Sequence, residues 1–330
     1  MGKHANLSIF VPHNGCTNRC VFCNQIRISG ADKTPTPREV TELCERFLPK
    51  SKNGADTEIA FFGGSFTAIE RELMDSLLRA ALPFVENGRA VGIRLSTRPD
   101  AIDDEILDDL KRFKVTSIEL GAQSMCDDVL AANKRGHSAQ DVISASEMIK
   151  QAGISLGLQM MVGMLGETDS EKGALETARS FIAIKPDCVR IYPTLVVENT
   201  ELCDIYRAGK YTPLSLDRAV EITARLIAMF EKENITVLRA GLHSDESLQK
   251  SLVSGPFHPA FGELCRAMIM RDELEKLLEN QGEGNCTVCV PRGFMSKAQG
   301  QKKSNINYFL KRGICVKIEE TDADKPYLKR

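Results

Sequence analysis

A chain of 330 residues with 42% hydrophobic and 27% charged residues can bury one large core plus a smaller one, which excludes a disordered or fibrous polypeptide. Its formal net charge of −2 announces no nucleic-acid partner by bulk basicity, and no apolar run of about 18 residues offers a membrane span. Eleven cysteines behind an N-terminus (Met1 to Asn6) without an apolar signal segment point to a reducing, cytoplasmic setting with no membrane contact, where thiols are buried or bind metal and do not form a disulfide framework.

The first predicted strand, Ser8 to Val11, runs into a loop that carries Cys16, Cys20 and Cys23 as C-T-N-R-C-V-F-C. Three thiolates this close can hold a metal or an iron–sulfur cluster. A four-iron cluster takes four ligands, so three cysteines leave one iron open to a small molecule. Structural zinc is a competing use, but it takes paired cysteine or histidine groups, and its fourth ligand here would be His13 or a distant residue. Thiols buried without any ligand role are the third reading.

The second predicted strand, Glu58 to Phe62, ends in Gly63-Gly64, where a backbone without Cβ atoms can approach a ligand or simply turn tightly. The third, Gly92 to Ser96, continues as Thr97-Arg98-Pro99-Asp100. Hydroxyls there suit a ribose and Arg98 suits a carboxylate, while Asp100 or Asp103 suits a helix N-cap. In the fourth, Ser117 to Leu120, the carboxylate of Glu119 sits in an apolar run and needs a partner, either a ligand or an arginine such as Arg94 or Arg190. We expect the ligand, with Gln123 beside it. Asn133-Lys134-Arg135-Gly136-His137 reads as a polar loop opening a helix, with His137 a cap, surface or catalytic residue. The fifth strand, Ser155 to Met161, leads into Gly163-Met164-Leu165-Gly166, and the sixth is Cys188 to Tyr192.

Between the strands, apolar residues recur at helical spacing: Leu73, Leu77 and Leu78; Leu175, Ala178 and Ile182; Val220, Ile227 and Phe230. Repeated strand–helix–strand units mean an α/β fold, and six of them fit a partial (β/α)6 barrel, with a doubly wound sheet as the competing layout. Several strands read as nearly continuous apolar runs, as expected for parallel strands covered on both faces. A barrel gathers its active residues at the C-terminal strand ends, where this chain puts its unusual residues.

Beyond about residue 240 the pattern changes to a small α+β extension, 241–330, after a barrel at 1–240. A helix from about Ala260 to Glu279 precedes strand, helix, turn (Gly300-Gln301-Lys302-Lys303), helix and strand. From Pro291 to Arg330, ten Lys and Arg face four Asp and Glu. The unit at 286–320 resembles a minimal KH-type module, whose Gly-x-x-Gly loop clamps nucleic-acid backbone; here the second Gly is Lys303. Lys297, Lys302, Lys303, Lys311 and Arg312 would form its basic face, or merely a solvated helical pair. Cys286 and Cys289 form a C-x2-C with no second pair nearby, and no metal is expected there.

Taken in order, these motifs resemble the radical S-adenosylmethionine (radical SAM) superfamily. The resemblance rests on C-x3-C-x2-C with Phe22 before the third cysteine, on Gly63-Gly64, and on the loop 163–166, where Leu165 replaces the family's usual Pro. Arg190-Ile191-Tyr192-Pro193-Thr194-Leu195, Ser96-Thr97-Arg98-Pro99-Asp100 and Arg135-Gly136-His137 make residues 5–240 similar to the catalytic subunit of Elongator and its bacterial relatives. The resemblance implies a [4Fe–4S] cluster on Cys16, Cys20 and Cys23, with S-adenosylmethionine on the open iron. Gly63 and Gly64 would meet its methionine amino group, and Ser96, Arg98, Glu119 and Gln123 would surround the rest. It further implies a 5′-deoxyadenosyl radical, an electron donor such as ferredoxin or flavodoxin, and modification of tRNA or another RNA.

About 90 residues follow position 240, fewer than the Elongator acetyltransferase domain needs, so any acyl group is expected from a separate acyl-donor protein. The alternatives are a radical SAM enzyme acting on a small molecule such as a tetrapyrrole, and a non-enzymatic RNA-binding protein with a structural metal.

Overall fold

The computed structural model describes residues 5–12, 15–16, 19–24, 33–48, 57–242 and 246–329; His13 lies outside them. Strands β1 (Ala5–Val11), β2 (Thr57–Gly63), β3 (Gly92–Thr97), β4 (Val115–Gln123), β5 (Ser155–Val162) and β6 (Cys188–Pro193) follow one another in space as in sequence. A short β7 (Val196–Val197) intervenes before β8 (Thr236–Ala240), which completes a seven-stranded sheet at the free side of β6. Every neighbouring pair in the sheet is parallel. The first and last strands, β1 and β8, each have one neighbour, so the sheet curls into an open half-barrel. The six expected strands are all present, and β8 is a seventh that the apolar pattern did not announce.

The connecting helices are α1 (Pro37–Phe47), α2 (Arg71–Glu86), α3 (Asp104–Arg112), α4 (Asp127–Ala132), α5 (Ala139–Gln151), α6 (Ser170–Ile184), α7 (Glu201–Arg207) and α8 (Leu216–Lys232). Local sequence sets where they start. Thr36 with Glu39, and Ser138 with Asp141, form capping boxes before α1 and α5. Asp103 caps α3 by accepting from the Ile106 N–H, so the cap role falls to Asp103 and not to Asp100.

One expectation fails. The strands are not covered alike on both faces. Ile9, Val11, Ile59, Phe61, Ile93, Leu95, Ile118, Leu120, Leu156, Leu158, Val189 and Ile191 pack into the main apolar core with the helices. Their alternate neighbours Glu58, Arg94, Glu119, Gln159 and Arg190 bond to one another on the opposite face. A period of two in side-chain direction separates the two sets. The half-barrel thus has an apolar outside under helices and a polar inside.

The remainder comprises α9 (Glu246–Ser251), β9 (Leu252–Ser254) paired with β7, and α10 (Phe261–Leu277). Then β10 (Gly284–Pro291), α11 (Met295–Gln299), α12 (Ser304–Leu310), β11 (Ile314–Thr321) and β12 (Tyr327–Lys329) build a three-stranded sheet in the order β11-β10-β12. This strand–helix–turn–helix–strand unit is the expected one, with β10 and β11 parallel. Its core, Val288, Val290, Ala298, Phe309, Ile314 and Val316, is separate from the barrel core. Helix α10 serves both, giving Phe261 and Cys265 to the first and Met270 and Leu274 to the second. No helix among the described residues is long and apolar enough to cross a membrane.

Candidate active site

All barrel strands run the same way, so their C-terminal ends share one mouth. The cysteine loop leaves β1 there and lies on the turn after β2. Gly63 adopts φ +114°, and the Gly64 N–H donates to the Val11 carbonyl at 2.8 Å. Gly15, at φ +73°, packs so closely that a Cβ there would stand 2.2 Å from the Ser65 carbonyl oxygen. The backbone of Ser65 also hydrogen-bonds the Cys16 sulfur. Burial and the neighbouring Cys20 push the Cys16 thiol up, against the opposing pull of Arg98, the Ser65 backbone and Arg135. The loop turns between its second and third cysteines through Cys23 N–H to Cys20 C=O, 3.0 Å.

Cys16, Cys20 and Cys23 are all partly exposed and free of disulfides. Among the described residues, no three His, Cys, Asp or Glu side chains converge as one coordinated ion would require. A cluster needs no such convergence on one atom, because each thiolate of a cluster meets a different iron. Three thiol donors with Arg98 and Arg135 nearby suit an anionic sulfur cluster.

Ser65 Oγ, Thr97 Oγ1 and Thr67 Oγ1 form a buried hydroxyl chain at 2.9 and 2.6 Å, which ties the Gly63-Gly64 turn to the end of β3. Arg98 turns onto Asp100 through two bonds of 2.9 and 2.6 Å. Ser96 lies inside the barrel beside Gln159, 3.5 Å away. Gln123 sits at φ +69°, and its Oε1 is buried without a hydrogen-bond partner among the described residues.

Glu119 departs from expectation. It is 1% exposed and fully paired: Arg94 Nη1 donates at 3.0 Å, Arg190 Nη2 at 2.9 Å and Gln159 Nε2 at 3.1 Å. Arg94 also binds Glu58 at 2.6 Å. Burial would raise the Glu58 carboxyl, but the Arg94 charge and bonds from Arg94, Thr116 and Ser117 hold it below its ordinary value. Gly157 leaves room for the ladder, since a Cβ there would come within 2.8 Å of Glu119 Cγ. Arg94 and Arg190 are the arginine partners weighed for Glu119, whereas Glu58 and Gln159 were not singled out from the sequence. Their signal was one charged or amide residue set among apolar ones in each strand: Glu58 in EIAFF, Arg94 in GIRLS, Gln159 in GLQMM and Arg190 in VRIY.

Asn133 to His137 is no surface loop, for Asn133, Arg135 and His137 are 0%, 8% and 8% exposed. Ser138 is the cap of α5, and His137 Nε2 instead lies 3.2 Å from the Ala122 carbonyl. After β5, Gly163 and Gly166 take φ +78° and +88°, and Tyr211 donates to the Gly163 carbonyl at 2.6 Å. Glu167 accepts from the Gly163 and Met164 N–H groups at 3.1 Å each. On β10, Cys286 and Cys289 stand three residues apart and point to opposite faces, so they form no metal pair.

Two buried groups make opposing pH predictions. Burial, with the Arg135 charge adding, holds the His137 imidazole at about 4 against an ordinary 6.5. Burial pushes the Glu167 carboxyl up to about 7 from an ordinary 4.5. The His137 contribution to stability is full above its unfolded value of 6.5 and is lost as pH falls through about 4. The Glu167 contribution is full below 4.5 and is lost as pH rises through about 7. Each shift corresponds to roughly 3 kcal/mol. Urea midpoints of the parent should therefore change little where the windows overlap. His137→Gln should unmask a loss with rising pH and Glu167→Gln a loss with falling pH; slopes of the same sign in both variants would contradict this.

An open parallel half-barrel with sulfur donors gathered at its C-terminal mouth defines a class, the barrel enzymes that mount a metal cluster where the strand ends converge. Residues 10–178 match the radical SAM superfamily, and residues 186–271 match the radical SAM C-terminal domain. The chain belongs to the radical SAM superfamily. It is an enzyme of that kind, with a [4Fe–4S] cluster and S-adenosylmethionine as cofactors, and the non-enzymatic reading falls.

Among curated relatives, the tRNA uridine(34) acetyltransferase of Methanocaldococcus jannaschii is 30% identical over 184 residues, covering 50% of this chain and 34% of that protein. Elongator complex protein 3 of Homo sapiens is 28% identical over 194 residues, covering 52% and 35%. The matched part is thus about half of this chain and about a third of those relatives. The archaeal Elp3 of Methanocaldococcus infernus has a similar fold, with TM-score 0.64 and 23% identity over 81% of this chain and 63% of that one.

Proposed function

We propose that Cys16, Cys20 and Cys23 hold the cluster and that the chain uses it to modify an RNA, with tRNA the leading candidate. The observation that carries the cluster assignment is the seating of the cysteine loop on the Gly63–Ser65 turn through Gly15. When bound, the cluster and S-adenosylmethionine supply radical chemistry, driven by one electron from a donor of the ferredoxin or flavodoxin type. The chain's own residues bind and orient. The Gly63 and Gly64 backbone would receive the methionine amino group. Ser96 and Arg98 would flank the rest, and the buried, unpartnered Gln123 Oε1 would accept from it. Glu119 would act through Arg94 and Arg190, which its carboxylate fixes. The polar inside of the half-barrel would then receive the substrate and exclude water.

The RNA reading is supported by the relatives' names and by the extension. We divide the chain into a barrel at 1–240 and an extension at 241–330, joined by the shared helix α10. Lys302 and Lys303 are exposed and both left-handed, φ +51° and +59°, so the backbone at the second Gly position of the KH-like loop adopts the region glycine favours. Lys311 is exposed, and Lys297 lies over the Phe294 ring at 4.2 Å. Arg312 is committed to Glu275 and Tyr308, so it is a weaker RNA contact than expected.

Replacing Lys302 and Lys303 by Ala should weaken tRNA binding and flatten its salt dependence by roughly 0.7 log units per lost phosphate contact. Cleavage of S-adenosylmethionine should persist in that variant while RNA modification falls. Equal binding by parent and variant would remove the extension from the RNA reading.

A further inference from the structure

The turn Asn133–His137 has no part in the function proposed so far, yet it bonds to the cysteine loop, to the end of β4, to the loop after β5 and to α7. The Asn133 carbonyl accepts from the Val21 N–H at 3.3 Å, and the Val21 carbonyl accepts from Leu202 at 2.8 Å. Asn133 Nδ2 donates to the Leu165 carbonyl in the loop after β5 at 2.8 Å. Lys134 pairs with Glu201 at 2.6 Å. Arg135 reaches furthest: Nη1 lies 2.9 Å from Cys20 Sγ, and Nη2 donates to the Gly121 carbonyl at the end of β4. Arg135 is 8% exposed, and its Nε is buried without a partner among the described residues. The chain has thus placed a permanent positive charge in a largely dry site with one of its forks aimed at a single cysteine sulfur.

We infer that Arg135 is a positioning residue that fixes Cys20 and makes the cluster on that cysteine easier to reduce. The inference rests on the reading that Cys20 is a cluster ligand. The physical basis is direct. Reduction adds one negative charge, supplied from outside by a ferredoxin- or flavodoxin-class donor, and a fixed cation hydrogen-bonded to a ligand sulfur stabilises the more negative state. Hydrogen bonds to sulfur and net charge are among the terms that set cluster potentials. Cys16 receives a backbone bond from Ser65, whereas Arg135 brings its charge directly onto Cys20. The Gly121 bond and the Asn133 anchors keep the guanidinium from swinging away to solvent.

The test is an EPR-monitored redox titration of the anaerobically reconstituted full chain, with iron content measured in parallel. Arg135→Met should retain iron within the range of the parent and show a more negative midpoint potential. Arg135→Gln keeps a donor without charge and should fall between Met and parent. Arg135→Lys keeps the charge and should lie nearer the parent than Gln does. Lys134→Ala, altering the neighbouring exposed residue, should leave the potential unchanged.

An unchanged potential in Arg135→Met with full iron would overturn the inference, and so would a merely lowered iron content with no shift in the remaining cluster. If the parent itself binds no [4Fe–4S] cluster, the cluster assignment fails; if the parent's cluster is normal and insensitive to residue 135, only this inference does.

Discussion

Cys20→Ala is expected to abolish both the brown cluster chromophore and the cleavage of S-adenosylmethionine. Cys16→Ala and Cys23→Ala should behave alike. A cluster on three thiolates loses a third of its protein ligands with one cysteine, and among the described residues no other His, Cys, Asp or Glu group converges to replace it. The loss should exceed the 10–100-fold typical of residues that only support a ligand, so cleavage should fall by more than about 100-fold. Cys286→Ala and Cys289→Ala are the internal controls. They sit on opposite faces of β10, far along the chain, and should leave iron content unchanged. A Cys20→Ala protein with full iron and full cleavage contradicts the assignment.

Glu119→Ala should cost about 3–5 kcal/mol of stability, the usual loss when one partner of a buried ion pair is removed. Two buried arginines, Arg94 and Arg190, would be left facing a vacated site, and only Glu58 would remain to compensate Arg94. Glu119→Gln keeps the shape but loses the charge, and it should still exceed the roughly 1 kcal/mol seen for substitutions outside buried networks. Pairing Glu119→Ala with Arg190→Met should recover part of the loss, because the second change removes one of the stranded charges. Urea denaturation read by far-UV circular dichroism gives the numbers. A loss under about 1 kcal/mol for Glu119→Ala would mean that the ladder contributes little and that the carboxylate is available to a ligand.

The contrast between these two predictions shows what the sequence carried. The cysteine loop, the Gly63-Gly64 turn and the strand–helix–turn–helix–strand tail are local patterns, each legible within a few residues. Six strands were legible because each is a short apolar segment bounded by turn residues. Strand β8 was not, because Thr236–Ala240 is short, partly exposed and interrupted by Arg239 at the sheet edge. The fate of Glu119 was not legible either. Its partners Arg94 and Arg190 lie 25 and 71 residues away, and both they and an unseen ligand were chemically sufficient until the sheet order brought them together. Arg135 and His137 were singled out as part of a polar loop, with His137 left between cap, surface and catalytic roles, since a run of Asn, Lys, Arg, Gly and His does not show its own burial. What buries that run is the convergence of α4, β4 and the cysteine loop, which no local pattern encodes.

The most direct test of the central claim is the formation of 5′-deoxyadenosine by the anaerobically reconstituted full chain with S-adenosylmethionine and dithionite, measured with and without a bulk tRNA pool. The account predicts 5′-deoxyadenosine that depends on Cys16, Cys20 and Cys23, and a rise in its rate when tRNA is added. No 5′-deoxyadenosine from a protein with a full cluster would contradict the radical chemistry, and formation indifferent to every RNA but stimulated by a tetrapyrrole would contradict the proposed substrate.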